Sequence, residues 1–240
     1  MLIFTLFITY FLTTRNIIAA ADEEGKGASA SSTDVSVGCF SSDSSVVLMN
    51  GEQKQIDSLR TGDQILAIDQ FNVRPSEMFI MLDKETSKIA TFYTFLTASN
   101  HQISLTGLHL IPIVSSNHKM NYTAARDIKL GDQFYVFIND HLESSPVVNI
   151  TIELKQGYFA PLTMTGTILV NNIYASCYAS VTNHEFAQMF MSPFRWYYQL
   201  MKLISRSEPF DNNQSNGIHW LIKFIYDIIS IIQPSSLQLS

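Results

Sequence analysis

The segment Leu59-Arg-Thr-Gly-Asp-Gln-Ile-Leu66 returns 69 residues later as Ile128-Lys-Leu-Gly-Asp-Gln-Phe-Tyr135. In each copy a Gly-Asp pair, suited to a tight turn, leads into an apolar strand. Turn chemistry alone can repeat Gly-Asp, but the shared glutamine and the matched apolar frame point to duplication of a larger unit. Such a chain is constrained to two pseudo-symmetric halves around one core. Asp63 and Asp132, inside the repeated turns, are therefore assigned structural roles.

The rest of the pattern fits an all-β domain. Short runs rich in Val, Ile, Thr, Tyr and Phe predict strands at 45–49, 52–56, 64–69, 77–82, 89–97, 101–105, 109–114, 133–138, 146–154, 167–171 and 173–180. Asn50-Gly51 between the first two predicts a type I′ hairpin turn. So many short strands argue against parallel β/α units. After residue 184 the period becomes helical, over 185–204 and 218–232, with Pro193 expected to end or kink the first segment. Both segments are rich in apolar and aromatic residues.

At the other end, Leu2 to Leu12 is an apolar run too short to span a bilayer comfortably, and Ala19-Ala20-Ala21 supplies small residues for cleavage. Residues 1–21 are read as an export signal, despite the absence of a basic residue before the apolar run. Residues 22–37 are acidic, then Gly/Ala/Ser-rich, and are read as a linker or short peptide. Passage through the endoplasmic reticulum, then secretion or membrane association, is expected. Sequons at Asn121, Asn149 and Asn213 fit that route as candidate glycosylation sites.

With a net charge of -6 and no basic face, nucleic acid is not an expected partner. Two cysteines and six scattered histidines never fall into zinc-ligand spacing, so no metal and no cofactor are expected. A monomer is expected.

Two cysteines in an exported chain most simply form one disulfide, here Cys39–Cys177. Cys39, however, follows Gly38 at the junction of tail and first strand. A thiol there can attack the carbonyl before it and convert the amide to a thioester. That acyl shift needs a proton donor or acceptor and a hydrogen-bonding hydroxyl beside the scissile bond. Thr106-Gly-Leu-His109 offers both, although a lone histidine flanked by leucine is more often a satisfied core residue.

Gly38-Cys39-Phe40, Thr106-Gly-Leu-His109 and Ala175-Ser-Cys-Tyr178, in that order and spacing, resemble the C-terminal autoprocessing (Hint) domain of hedgehog proteins. Ala160-Pro-Leu-Thr-Met-Thr-Gly-Thr-Ile168, Ser192-Pro-Phe-Arg195 and Asn216-Gly-Ile-His-Trp220 extend the likeness over about 38–232. The resemblance implies a Hint-type β horseshoe built from a duplicated unit over 38–184, followed by a helical sterol-recognition-like region over 185–240. It implies that Cys39 forms the thioester with Gly38, that His109 assists the shift, and that Thr106 holds the scissile amide. Asp83, in Ile80-Met-Leu-Asp-Lys84, matches the acid that activates the acceptor alcohol, and Cys177 matches a second cysteine that aids the shift or pairs reversibly with Cys39. The implied acceptor is the 3β-hydroxyl of cholesterol, with Trp196, Tyr197, Trp220 and Phe224 as sterol-binding candidates. The same apolar helices are candidates for a membrane surface. Water as acceptor, or an inert secreted module with a Cys39–Cys177 disulfide, are the alternatives.

One departure stands out. Cleavage after Ala21 would leave Asp22 to Gly38, seventeen residues, upstream of the junction, where hedgehog precursors carry a folded signalling domain. The penultimate histidine and terminal asparagine needed for intein splicing are missing, so splicing is not expected.

Overall fold

The computed structural model describes residues 38–114, 120–179, 184–205, 210 and 216–220. The expected export signal, the linker 22–37, Asn213, Phe224 and most of the second predicted helix lie outside the described residues.

The repeat found in the sequence is a repeat of structure. Arg60 N–H donates to Asp63 Oδ2 at 2.7 Å, and Lys129 N–H donates to Asp132 Oδ2 at 2.8 Å. Gly62 and Gly131 both take positive φ, 92° and 89°. Their N–H groups donate to the carbonyls of Met78 and Val147. A short 3-10 turn precedes each copy, at Ile56–Ser58 and Ala125–Asp127. Each copy then runs into a hairpin: β4 (Gln64–Asp69) with β5 (Asn72–Thr97), and β9 (Gln133–Ile138) with β10 (His141–Thr163). The hairpin turns have positive φ at both central residues, Gln70-Phe71 and Asn139-Asp140, the type I′ signature. Apart from the far ends of β5 and β10, these correspondences keep the 69-residue offset.

The two halves are interleaved by their long strands. β5 begins against β4 and continues against β10, in register from Val147↔Thr97 to Thr163↔Met78 with several bulges. The predicted strands 77–82 and 89–97 are thus one 26-residue strand. The polar run Glu85-Thr-Ser-Lys88 looks like a loop in sequence, yet Glu85 pairs with Tyr158 and the backbone stays extended. The predicted strand 146–154 is likewise the middle of β10, which passes through Gly157 (φ 82°) at a bulge.

The remaining strands are β1 (Phe40–Ser41), β2 (Ser45–Val47), β3 (Gln53–Gln55), β6 (Gln102–Thr106), β7 (Leu110–Val114), β8 (Met120–Ala124), β11 (Thr167–Val170), β12 (Ile173–Ser176) and β13 (Gly217–Ile218). All pairings are antiparallel among the described residues. Strand β8, too polar to be foreseen, forms because β7 offers it five paired positions. The β2–β3 turn is not type I′: only Gly51 has positive φ, and Gly51 N–H donates to the Leu48 carbonyl, so the turn is a residue wider. The inward faces bury Phe40, Ile65, Phe79, Phe92, Phe95, Ile103, Phe134 and Phe159 completely or nearly so. Burying such side chains contributes about 1.5–3 kcal/mol each.

Two helices follow, α1 (His184–Phe190) and α2 (Ser192–Ser205). The single segment expected at 185–204 is broken at Met191, because Pro193 cannot donate a backbone hydrogen bond and sits in the first turn of α2. Phe194 and Tyr198 are buried; the Tyr198 ring lies against Phe79 of β5, and Tyr198 Oη donates to Glu77 Oε1 at 2.7 Å. Where a second helix was expected from residue 218, Gly217 and Ile218 instead pair with Lys84 and Asp83 at the edge of β5. Among the described residues, no helix is long and apolar enough to cross a membrane.

Candidate active site

Strand β1 carries the junction Gly38-Cys39 into the centre of the sheet. Phe40 is paired on both sides, with Leu105 of β6 and Phe159 of β10, so Cys39 is fixed and almost completely buried. Its N–H belongs to the Gly38–Cys39 peptide bond and donates to Thr106 Oγ1 at 2.9 Å, while Thr106 N–H donates to the Cys39 carbonyl. The amide named from the sequence as the one to be cut is therefore the one that Thr106 grips.

His109 lies one tight turn beyond, its N–H donating to the Thr106 carbonyl at 3.0 Å. An antiparallel bridge to Ala179 and the hydrogen bond from Ala125 N–H to the His109 carbonyl fix its backbone. The ring is fully buried, edge-on to Phe40 with centroids 4.4 Å apart. Nε2 lies 2.8 Å from the Ser176 carbonyl. A carbonyl only accepts, so Nε2 carries the proton and the neutral ring presents a bare lone pair at Nδ1. Nδ1 has no partner at full hydrogen-bonding geometry and faces Gly38: a Cβ placed on that glycine would stand 3.0 Å from Nδ1 and 2.0 Å from Ala179 Cβ. A glycine is needed here because any side chain would collide. Burial pushes the His109 pKa down to about 4, against smaller upward pulls from the backbones of Ser176 and Gly38.

Asp83 lies at the bulge of β5 against β10, between the pairs Phe159↔Lys84 and Pro161↔Met81, where β13 covers it. It is 4% exposed, and its Oδ1 has no hydrogen-bond partner among the described residues. Burial lifts its pKa to about 6, and its negative charge adds to burial in pushing the Cys39 thiol well up. The site thus holds a protonated thiol, a neutral imidazole and a carboxylate that takes up a proton near pH 6.

Cys177 is buried with Sγ 3.7 Å from Thr163 Oγ1, and burial lifts its pKa to about 11. Cys39 and Cys177 are both thiols, so the disulfide considered from cysteine count is not formed. Trp196 on α2 and Trp220 after β13 are more than half exposed, and Tyr197 is half-buried. Asn121 in β8 and Asn149 in β10 are exposed. No cluster of metal-ligating side chains occurs among the described residues.

Sequence reasoning missed Ser176 and His184. Ser176 stood inside the quoted Ser-Cys-Tyr motif, but only the fold shows that its carbonyl fixes the His109 tautomer. His184 carried no signal beyond preceding the first helical run.

The Hint module family model matches residues 22–234. The tiggy-winkle hedgehog protein of Danio rerio is 34% identical over 80% of this chain and 48% of its own length. The hedgehog protein of Drosophila hydei is 29% identical over 83% of this chain and 44% of its own length. The chain spans about half the length of the curated relatives it matches. Among solved structures, the PabCDC21-1 intein superposes with a TM-score of 0.51 at 16% identity, over 59% of this chain and 98% of that one. The Ssp DnaB mini-intein variant M86 gives 0.50 at 16% identity, over 61% and 97%. At this identity the inteins speak for the fold alone.

Proposed function

The chain belongs to the Hint module family, and on that footing we propose that it cuts its own backbone between Gly38 and Cys39 and transfers the upstream segment to a sterol alcohol. The carrying observation is that the N–H of this one peptide bond is held by Thr106 while His109 Nδ1 faces Gly38.

The residues divide the first step between them. Cys39 Sγ adds to the Gly38 carbonyl carbon as its proton passes to His109 Nδ1. An imidazole of such low basicity is a poor acceptor at rest but a strong acid once charged. It therefore gives the proton on to the amide nitrogen as the C–N bond breaks. The nitrogen gains positive character as it is protonated, so its hydrogen bond to Thr106 Oγ1 strengthens in the transition state, where it counts for rate. The products are a Gly38–S–Cys39 thioester and the amino group of Cys39.

In the second step an acceptor hydroxyl attacks the thioester carbon. Its proton goes to the Asp83 carboxylate, the C–S bond breaks, and the Cys39 sulfur recovers a proton. Asp83 suits this role because its depleted hydrogen bonding and raised pKa make it a better base than a surface carboxylate. A sterol as acceptor is supported by the likeness to hedgehog proteins. It is supported too by exposed Trp196 and Trp220, the latter two residues beyond the strand that covers Asp83. Such chemistry would take place on the secretory route, with the helices toward a membrane surface.

The test is mass spectrometry of the full chain carrying an N-terminal reporter, under reducing conditions, with and without cholesterol. A reporter fragment ending at Gly38 and heavier by cholesterol less water is expected, and Cys39→Ala should abolish it. A fragment without added mass would replace the sterol by water. An intact fusion in both conditions would refute self-cleavage.

A further inference from the structure

Beyond Cys39, Thr106, His109 and Asp83, one buried polar chain reaches the candidate site from the helical region. Ser176 Oγ accepts a hydrogen bond from Tyr178 N–H at 2.9 Å and lies 2.9 Å from His184 Nδ1. Ser176 is completely buried and His184 nearly so. One lone pair of the serine oxygen takes the Tyr178 N–H, and the hydroxyl meets His184 Nδ1 through its proton or its second lone pair, as the His184 tautomer sets. The other end of the same serine, its carbonyl, receives Nε2–H of His109.

His184 is held for this contact. It is the first residue of α1, its ring stacks on Tyr122 with centroids 4.2 Å apart and planes 2° apart, and its edge meets Tyr178 at 5.3 Å. Burial, with Arg195 nearby, keeps it neutral, its pKa pushed down to about 4. Arg195 of α2 donates from Nη1 to the Gln188 carbonyl at 2.7 Å and bonds the Tyr178 hydroxyl, which joins both helices to the same corner.

We propose that His184 is a positioning residue for self-cleavage: through Ser176 Oγ it holds the Ser176–Tyr178 corner, so that the Ser176 carbonyl keeps His109 in the Nε2–H tautomer with Nδ1 bare toward Gly38. The inference rests on the reading of Cys39 and His109 given above. Its consequence is that α1, which lies outside the duplicated β-unit, acts on the acyl shift itself and not only on what accepts the acyl group. Without the serine contact, the Ser176 carbonyl is less firmly aimed. His109 then spends time with its proton on Nδ1, where it cannot take one from the thiol.

Two substitutions separate positioning from packing. His184→Phe keeps a ring to stack on Tyr122 but cannot accept a hydrogen bond. His184→Asn loses the ring but places an amide, able to donate or accept, near the position of Nδ1. In the full chain with its reporter, cleavage by dithiothreitol reads thioester formation without any sterol. His184→Phe should slow it roughly 3–10-fold, the equivalent of one neutral hydrogen bond, and His184→Asn should recover most of the rate. In a Cys39→Ala background, ¹⁵N spectra of the histidines should show His109 as Nε2–H, and as a tautomer mixture once His184→Phe is added. The reverse order of rates, Phe near wild type and Asn slow, would overturn the proposal, as would an unchanged His109 spectrum. Failure of the unsubstituted chain to cleave would instead sink the self-cleavage reading, while the spectra still decide the positioning of His109.

Discussion

Replacing Asp83 by asparagine should make the folded protein more stable while removing acceptor transfer. The carboxyl is raised from 3.8 to about 6 by burial. The folded state therefore holds the proton more tightly than the unfolded chain. As pH rises past 3.8 the unfolded chain loses its proton first, stability falls, and the full cost is reached above pH 6. At ~1.36 kcal/mol per pH unit, the interval amounts to about 3 kcal/mol, an upper bound because buried carboxylates attract water. Asparagine carries no charge to bury, so Asp83→Asn should gain about 2–3 kcal/mol at pH 8 and about half of that at pH 5. The measurement is urea denaturation of the Cys39→Ala chain with and without Asp83→Asn at the two pH values. In the cleavable chain, the same substitution should leave cleavage by dithiothreitol intact and stop ester formation. It should also lower the Cys39 pKa, since the Asp83 charge helps to raise it. A gain that does not change with pH, or a loss of stability at pH 8, would refute the assignment of Asp83 as a carboxylate held at an energetic cost.

Three further outcomes test the first step. Thr106→Val removes the oxygen that grips Cys39 N–H at 2.9 Å and should slow dithiothreitol cleavage roughly 10–100-fold with the circular dichroism spectrum unchanged. His109→Ala should cost about 10²–10⁴-fold in the same assay; with its pKa near 4, wild-type His109 is a neutral base from pH 5 upward, so titration of His109 should affect the rate only near pH 4. Gly38→Ala would set a methyl 2.0 Å from Ala179 Cβ and 3.0 Å from His109 Nδ1, and reporter release should fall below detection while the preceding residue, Val37→Ala, cleaves normally.

Much of the architecture was legible because it is written twice. The Gly-Asp-Gln repeat gave the halves and their offset, and the same offset recurs in backbone angles and hydrogen bonds. What was hidden was the length of β5 and β10: Thr86-Ser-Lys88 is polar because it lies on an exposed ribbon, and only its partner strand shows that it does not turn. The Asn50-Gly51 reading erred because dipeptide preference does not fix loop length. The residues around Gly38-Cys39 could be named from motif order. The Ser176 carbonyl could not, since a backbone acceptor leaves no trace in residue type, and neither could the buried hydrogen bond between Ser176 and His184.

The interleaving of β5 with β10 also sets a clock. Cys39 is among the first residues of the β-domain to be synthesised, whereas β10, the Ser176 carbonyl and His184 are made more than a hundred residues later. Until that later half threads back along β5, β1 has no slot between β6 and β10, and the junction is an ordinary flexible peptide. At ~5–20 residues per second of synthesis, the upstream polypeptide has several seconds to tens of seconds to fold or modify before it can be severed. A ribosome that stalls within β10 would leave the precursor whole. For the cleavage proposed at Gly38–Cys39, the fold makes synthesis of β10 and the Ser176 corner a condition for cutting.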